Sequence, residues 1–118
     1  MKRQLWIFLI ALTTVCSAFL ARAAEYPERT ITIEVPYSPG ASVDIMARMI
    51  AERLQKQFGQ AVVVENHVGA SGQIGLNRVA RAKPDGYTLG VGQITNLALA
   101  SSVSKQVLYN PKTDFAAV

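Results

Sequence analysis

The chain changes its hydrophobic period several times, and each change marks an element. Thr30 to Tyr37, TITIEVPY, is rich in β-branched residues and predicts a first strand. From Ser42 the apolar positions move to helical spacing. Met46, Ile50, Leu54 and Phe58 recur every four residues, with Ile45 and Met49 beside them. Arg48, Glu52, Arg53 and Lys56 fall between them, so the pattern predicts an amphipathic helix with one buried face. Met46, Met49 and Ile50 are assigned to the core on that spacing. Ser42 is read as its N-cap, Glu52 and Lys56 as a favourable i,i+4 pair, and Gly59 as its stop.

A continuous apolar run, AVVVEN from Ala61 to Asn66, predicts a second strand covered on both faces. A glycine-rich stretch, GASGQIG, leads into a second helix over Ile74 to Ala82, with Val79 inward and Arg78 and Arg81 outward. Tyr87 to Gly92 reads as a third strand. A short third helix is expected over 95–103. Weaker extended segments follow over 107–111 and 114–118.

This β-α-β-α-β-α order implies an α/β fold, a parallel sheet with helices on both faces. Right-handed crossovers place all three strand-to-helix loops on one sheet edge, where open α/β sheets bind ligands. Those loops are YSPGASVD (37–44), NHVGASGQIG (66–75) and GQITN (92–96).

The N-terminus changes the meaning of the composition. Lys2 and Arg3 precede the apolar run Leu5–Leu12, and ARA at 21–23 is a small-residue cleavage signal. Residues 1–23 are therefore read as a secretory signal peptide cut between Ala23 and Ala24. A membrane anchor would need about 20 mostly apolar residues, and Thr13, Thr14 and Ser17 interrupt this run. Val15 before Cys16 argues against a lipoprotein. The whole chain of 118 residues has a formal charge of +4. The leader carries Lys2, Arg3 and Arg22 and no acid, which leaves nine basic and eight acidic residues, or +1. That balance gives no reason to expect a nucleic-acid partner. Cys16 is the only cysteine, so the 95 residues from Ala24 onward hold no disulfide and no thiol nucleophile. That length suits one modest core, and DFAAV at its end reads as a strand cut short.

GASGQIG admits three readings. Its G-x-x-G-x-x-G spacing matches extended short-chain dehydrogenases and would suit an NAD(P)-dependent oxidoreductase. However, a dinucleotide fingerprint follows the first strand, with an acid ending the next one. Here it follows the second strand, and YTLGVGQ ends without an acid. The second reading is a glycine turn that only lets the helix approach the sheet. The third is an anion site, because the first amides of a helix lack intrahelical partners and lie at the positive end of its dipole. SPGAS before the first helix offers another such terminus. Apart from His67 neither loop carries a cationic side chain, so selection by amides and hydroxyls would favour a small carboxylate over a highly charged phosphate.

From Tyr26 to Val118 the residues resemble the periplasmic substrate-binding proteins of tripartite tricarboxylate transporters, the Bug family. The resemblance rests on YPER, VPYSPGASVD, GQAVVVEN, GASGQIG and ARAKPDGYTL together. It implies the first lobe of a two-domain Venus-flytrap fold, truncated near the crossover (YNPKTDFAAV) to a second lobe. It also implies capture of a small carboxylate in the periplasm for inner-membrane transporter subunits, with no catalysis and no cofactor. Carried over by position, the implied ligand-binding residues are Tyr37, Ser38, Pro39, Gly40, Ser42 and Asp44 in the first loop. Gly69, Ala70, Ser71, Gly72 and Gly75 follow in the second, and Gln93, Thr95 and Asn96 in the third. The chain departs from the family at Ala41 and Ser71, commonly glycine, and at His67-Val68, commonly Arg-Pro. A remnant without ligand remains the other alternative.

Single residues add little beyond this. Asp44 either orders its loop or receives a ligand ammonium. His67, the only histidine, is read as a rim residue without a partner acid. No serine lies in G-x-S-x-G, and no His, Asp and Glu cluster shows metal-ligand spacing along the chain.

Overall fold

The computed structural model describes residues 25–99, 102 and 106–118. The leader and its Ala23–Ala24 cleavage point lie outside the described residues, as does most of the far half of the expected third helix. The elements are β1 (Ile31–Val35), α1 (Ser42–Phe58), β2 (Val62–Asn66), α2 (Gln73–Arg81), β3 (Thr88–Gly90) and α3 (Ile94–Leu97). The strands form one parallel sheet in the order β2-β1-β3. Val35 pairs with Asn66, and Glu34 pairs with both Glu65 and Gly90, so all three strands end at one edge. Among the described residues no helix is long and apolar enough to cross a membrane.

β1 is the central strand, and its alternation assigns the two faces. Ile31, Ile33 and Val35 pack with Val43, Ala47 and Ala51 of α1. Glu34 points the other way and bonds to Arg78 of α2. Helices therefore cover both faces, as the β-α alternation implies.

The sequence pattern misjudged which side of α1 is inside. Met46, Met49 and Ile50 are 59%, 56% and 47% exposed, whereas Ala47 and Ala51 are 0% and 5% exposed. The reason is steric. β1 already fills the helix–sheet space with Ile31, Ile33 and Val35, so Val43, Ala47 and Ala51, not the long side chains of Met46, Met49 and Ile50, face the sheet. Nor is Ser42 the N-cap. Ala41 occupies that position in extended conformation and makes no side-chain cap, and Ser42 is the first helical residue. Gly59 does stop the helix, at φ 67° with its N–H on the Gln55 carbonyl at 2.9 Å.

β2 is an edge strand within the described residues, with Val63 45% exposed, so its apolar run does not signal cover on both faces. Residues 107–118 form no strand. Instead Tyr109 joins Leu76 in a small second core, and its ring meets Phe115 edge-on at 5.3 Å.

Candidate ligand-binding site

The first loop leaves β1 through buried Pro36. It then folds back on Asp44, whose carboxylate gathers donors from three places. The Gly40 N–H donates at 2.8 Å, Arg48 Nε at 3.0 Å and Asn66 Nδ2 at 2.8 Å. Arg48 first, then Gly40 and Asn66, hold this carboxyl far below the usual carboxylate range, because each stabilises the charged form. The side chain is buried, and its carboxylate is engaged with the loop through Gly40. Asn66 also donates to the Tyr37 carbonyl at 3.0 Å, which ties the end of β2 to the first loop. Gly40 has φ 83°, a conformation that costs a side-chain-bearing residue energy. Ala41, where the family commonly has glycine, is extended at φ −66° and needs no such freedom.

The second loop is unusual in its backbone. Gly69, Ala70, Ser71 and Gly72 have φ of 135°, 47°, 55° and 87°, a left-handed run in which two members carry a Cβ. Each non-glycine held there costs about 1–3 kcal/mol and persists only where its surroundings enforce it. Two glycines explain the enforcement. A Cβ on Gly75 would stand 2.9 Å from the His67 carbonyl and 3.0 Å from Pro36 Cα. A Cβ on Gly72 would stand 2.6 Å from Asn96 Nδ2 and 3.3 Å from Pro36 Cβ. The second loop is thus pressed against the first and the third at once.

The third loop is built around Asn96, which is 3% exposed. Its Oδ1 accepts the Gln93 N–H at 2.7 Å, half of a reciprocal capping box, and its Nδ2 donates to the Tyr37 hydroxyl at 2.9 Å. That hydroxyl donates in turn to Gln93 Oε1 at 2.8 Å. Asn96 therefore touches all three loops.

The fourteen positions assigned from sequence separate into two groups. Ser38, Pro39, Gly40, Ser42, Ala70, Ser71, Gln93 and Thr95 are exposed on the loops, while Tyr37 and Gly69 are partly so. Asp44, Gly72, Gly75 and Asn96 are buried and form the support beneath them. Sequence reasoning missed the other supports, Arg48, Asn66 and Tyr109. Arg48 carried a faint signal, since it stands four residues after Asp44 on a helix.

It also missed a partner for His67. His67 Nδ1 lies 2.6 Å from Glu34 Oε2, so the residue is not a partnerless rim group. Glu34 is buried in β1, and Arg78 Nε reaches its other oxygen at 3.1 Å. Along the chain these residues are too far apart to be read together, but parallel pairing brings them side by side. Donor atoms of Glu34, Glu65 and His67 fall within 4.8 Å of one another, a grouping with metal-ligand proximity that chain spacing did not reveal. Arg78 already supplies the positive charge there, lying 3.7 Å from Glu65 as well as bonding Glu34.

A groove of about 310 Å³ lies along the seam between α1 and β2, lined by Arg48, Ala51, Glu52, Gln55, Lys56, Val62 and Val64, none of them in the three loops. It is not the edge that the loops build.

Comparison with known proteins places the fold among periplasmic binding proteins. Solved structures that resemble the chain include the periplasmic binding protein BugD (42% identity, TM-score 0.71, 76% of this chain and 30% of that one). Others are MatC from Rhodopseudomonas palustris with bound malate (41%, 0.69, 76% and 31%) and R. palustris Rpa4515 with adipate (37%, 0.73, 75% and 30%). These relatives are solute-binding proteins, not enzymes, and the dinucleotide reading of GASGQIG finds no support among them. The chain spans about a third of the length of the curated relatives it matches, 29% of one and 36% of another. The tripartite tricarboxylate transporter family receptor pattern, TctC, matches residues 46–118, and the chain belongs to that family.

Proposed function

We propose that this chain is the loop-bearing lobe of a periplasmic receptor that captures a small carboxylate, with dicarboxylates of the malate and adipate kind as first candidates. The observation that carries this reading is that α1 and α2 both follow strands that end side by side, with Val35 paired to Asn66, so that both helices start from one sheet edge. Each first turn offers amide N–H groups without intrahelical acceptors and a positive dipole end. Two such ends on one sheet edge suit a carboxylate, whose two oxygens accept in one plane. The exposed hydroxyls of Ser38, Ser42 and Ser71 and the exposed Thr95 would complete the selection. Arg48 is spent on Asp44 and Asn66, so recognition here needs no cation.

On this reading residues 1–23 direct export and are removed after Ala23, and the partners are inner-membrane subunits of a tripartite tricarboxylate transporter. The bound malate and adipate of the two Rhodopseudomonas proteins support the ligand class. Isothermal titration of the periplasmic product with malate, adipate and NAD tests it. Heat from a dicarboxylate, with none from NAD, is the expected result. Silence with every carboxylate offered would overturn it.

A further inference from the structure

We propose that Tyr109 is a positioning residue for the binding edge, holding the third loop through the backbone of Asn96. The inference deepens the reading above and rests on it only for the identity of what the loops hold.

α3 has four residues, Ile94–Leu97, too few to sustain a helix by its own hydrogen bonds. Its position therefore depends on tethers. From within the edge come the capping box and the bonds of Tyr37 with Asn96 and Gln93, and Leu97 packs on the second core. A further hydrogen bond comes from outside the edge. Tyr109 Oη donates to the Asn96 carbonyl, thirteen residues back along the chain. Tyr109 is 7% exposed, and its ring packs on Leu76 of α2 and against Phe115. A buried phenol needs an acceptor, but the core could have offered one anywhere. The acceptor used belongs to the residue that contacts all three loops.

The neighbouring residue makes a matching contact. The Leu108 N–H donates to Gln73 Oε1 at 3.3 Å, and Gln73 is the first residue of α2, directly after Gly72. One short strap thus reaches the second loop through Leu108 and the third through Tyr109. The strap is braced by its own turn. The Asn110 N–H donates to Asp114 Oδ2 at 2.7 Å, and the Asp114 N–H donates to the Asn110 carbonyl at 3.0 Å. Burial, and secondarily Tyr37, push the Tyr109 phenol above its ordinary range, so it stays a donor through neutral pH.

Amide hydrogen exchange tests the inference without a ligand. Tyr109→Phe keeps the ring and removes the tether. The Asn96 and Leu97 amides, both bonded to the Gln93 carbonyl, should then exchange about five- to tenfold faster. The His67 amide on Val35 should keep its rate. Phe115→Leu is the packing control: it should lower Tm yet leave the loop amides alone. Gln73→Met should loosen the amides around Gly72, and Gln73→Glu, which retains an acceptor, should restore them. Unchanged exchange at Asn96 in Tyr109→Phe, or equal acceleration at loops and strands, would overturn the proposal. Malate and adipate titrations separate the two claims. If the loops loosen but the unmodified protein binds neither acid, the positioning role stands and the carboxylate reading falls. If the unmodified protein binds and Tyr109→Phe binds equally well with unchanged loop exchange, the positioning role falls.

Discussion

The side-chain amide of Asn96 lies 2.6 Å from the point where Gly72 would carry a Cβ. Loop two and loop three touch there, so glycine at 72 and asparagine at 96 are one structural decision. Gly72 also has φ 87°, which disfavours any side chain. Gly72→Ala therefore combines backbone strain with displacement of Asn96, and a loss of about 2–4 kcal/mol is expected by urea unfolding. Gly72→Val should cost more and abolish carboxylate binding. A Gly72→Val protein with full stability would show that the two loops are not in contact.

Acid should weaken the fold through Asp44. Its folded pKa is depressed, chiefly by Arg48 and then by Gly40 and Asn66. Its contribution is therefore fully present above the ordinary carboxylate pKa of about 3.9 and is lost as pH falls below that toward the depressed folded value. Asp44→Asn lacks this component. Its Tm should be lower at neutral pH, and the gap to the unmodified protein should narrow between about pH 4 and pH 2. Thermal melts across that range would show it, and parallel curves would contradict it.

Glu34 is buried between His67 and Arg78, so removing either partner leaves a carboxylate short of a donor. Arg78 is half exposed, which tempers its effect, and Arg78→Met is expected to cost about 2 kcal/mol. His67→Ala should cost about 1–3 kcal/mol and leave carboxylate affinity intact, because its imidazole is engaged with Glu34. Chemical unfolding and titration on the same preparations check both.

The exposed side of α1 makes a further prediction. Met49→Lys should change stability by no more than about 0.5 kcal/mol. Ala47→Leu, on the packed side, should cost about 1–3 kcal/mol by forcing bulk between helix and sheet. The opposite ranking would restore the face that helical spacing alone suggested.

Much of the architecture was legible because it is local. β-branched runs marked the strands, Gly59 marked a helix end, and the β-α alternation implied a parallel sheet. What was not legible depended on distance. The pattern of large apolar residues chose Met46, Met49 and Ile50 for the core because size stood in for burial. Only the filled side chains of β1 reveal that alanines are wanted there. Ser42 looked like a cap because capping residues are polar, but Asp44 serves the loop from inside the helix. Glu34, His67 and Arg78 span forty-four residues, and nothing in the spacing pairs them. The loops were readable as glycine strings. That Asn96 joins them, with Tyr109 behind it, required the sheet order β2-β1-β3.

The most direct test follows backbone amide shifts while malate or adipate is titrated into the periplasmic product. The largest changes are expected at Ser42–Asp44 in the first turn of α1 and at Ser71–Gly75 at the start of α2. Saturable binding whose shifts instead cluster on the groove between α1 and β2, around Arg48, Glu52 and Lys56, or no binding at all, would contradict a carboxylate site on the loop edge.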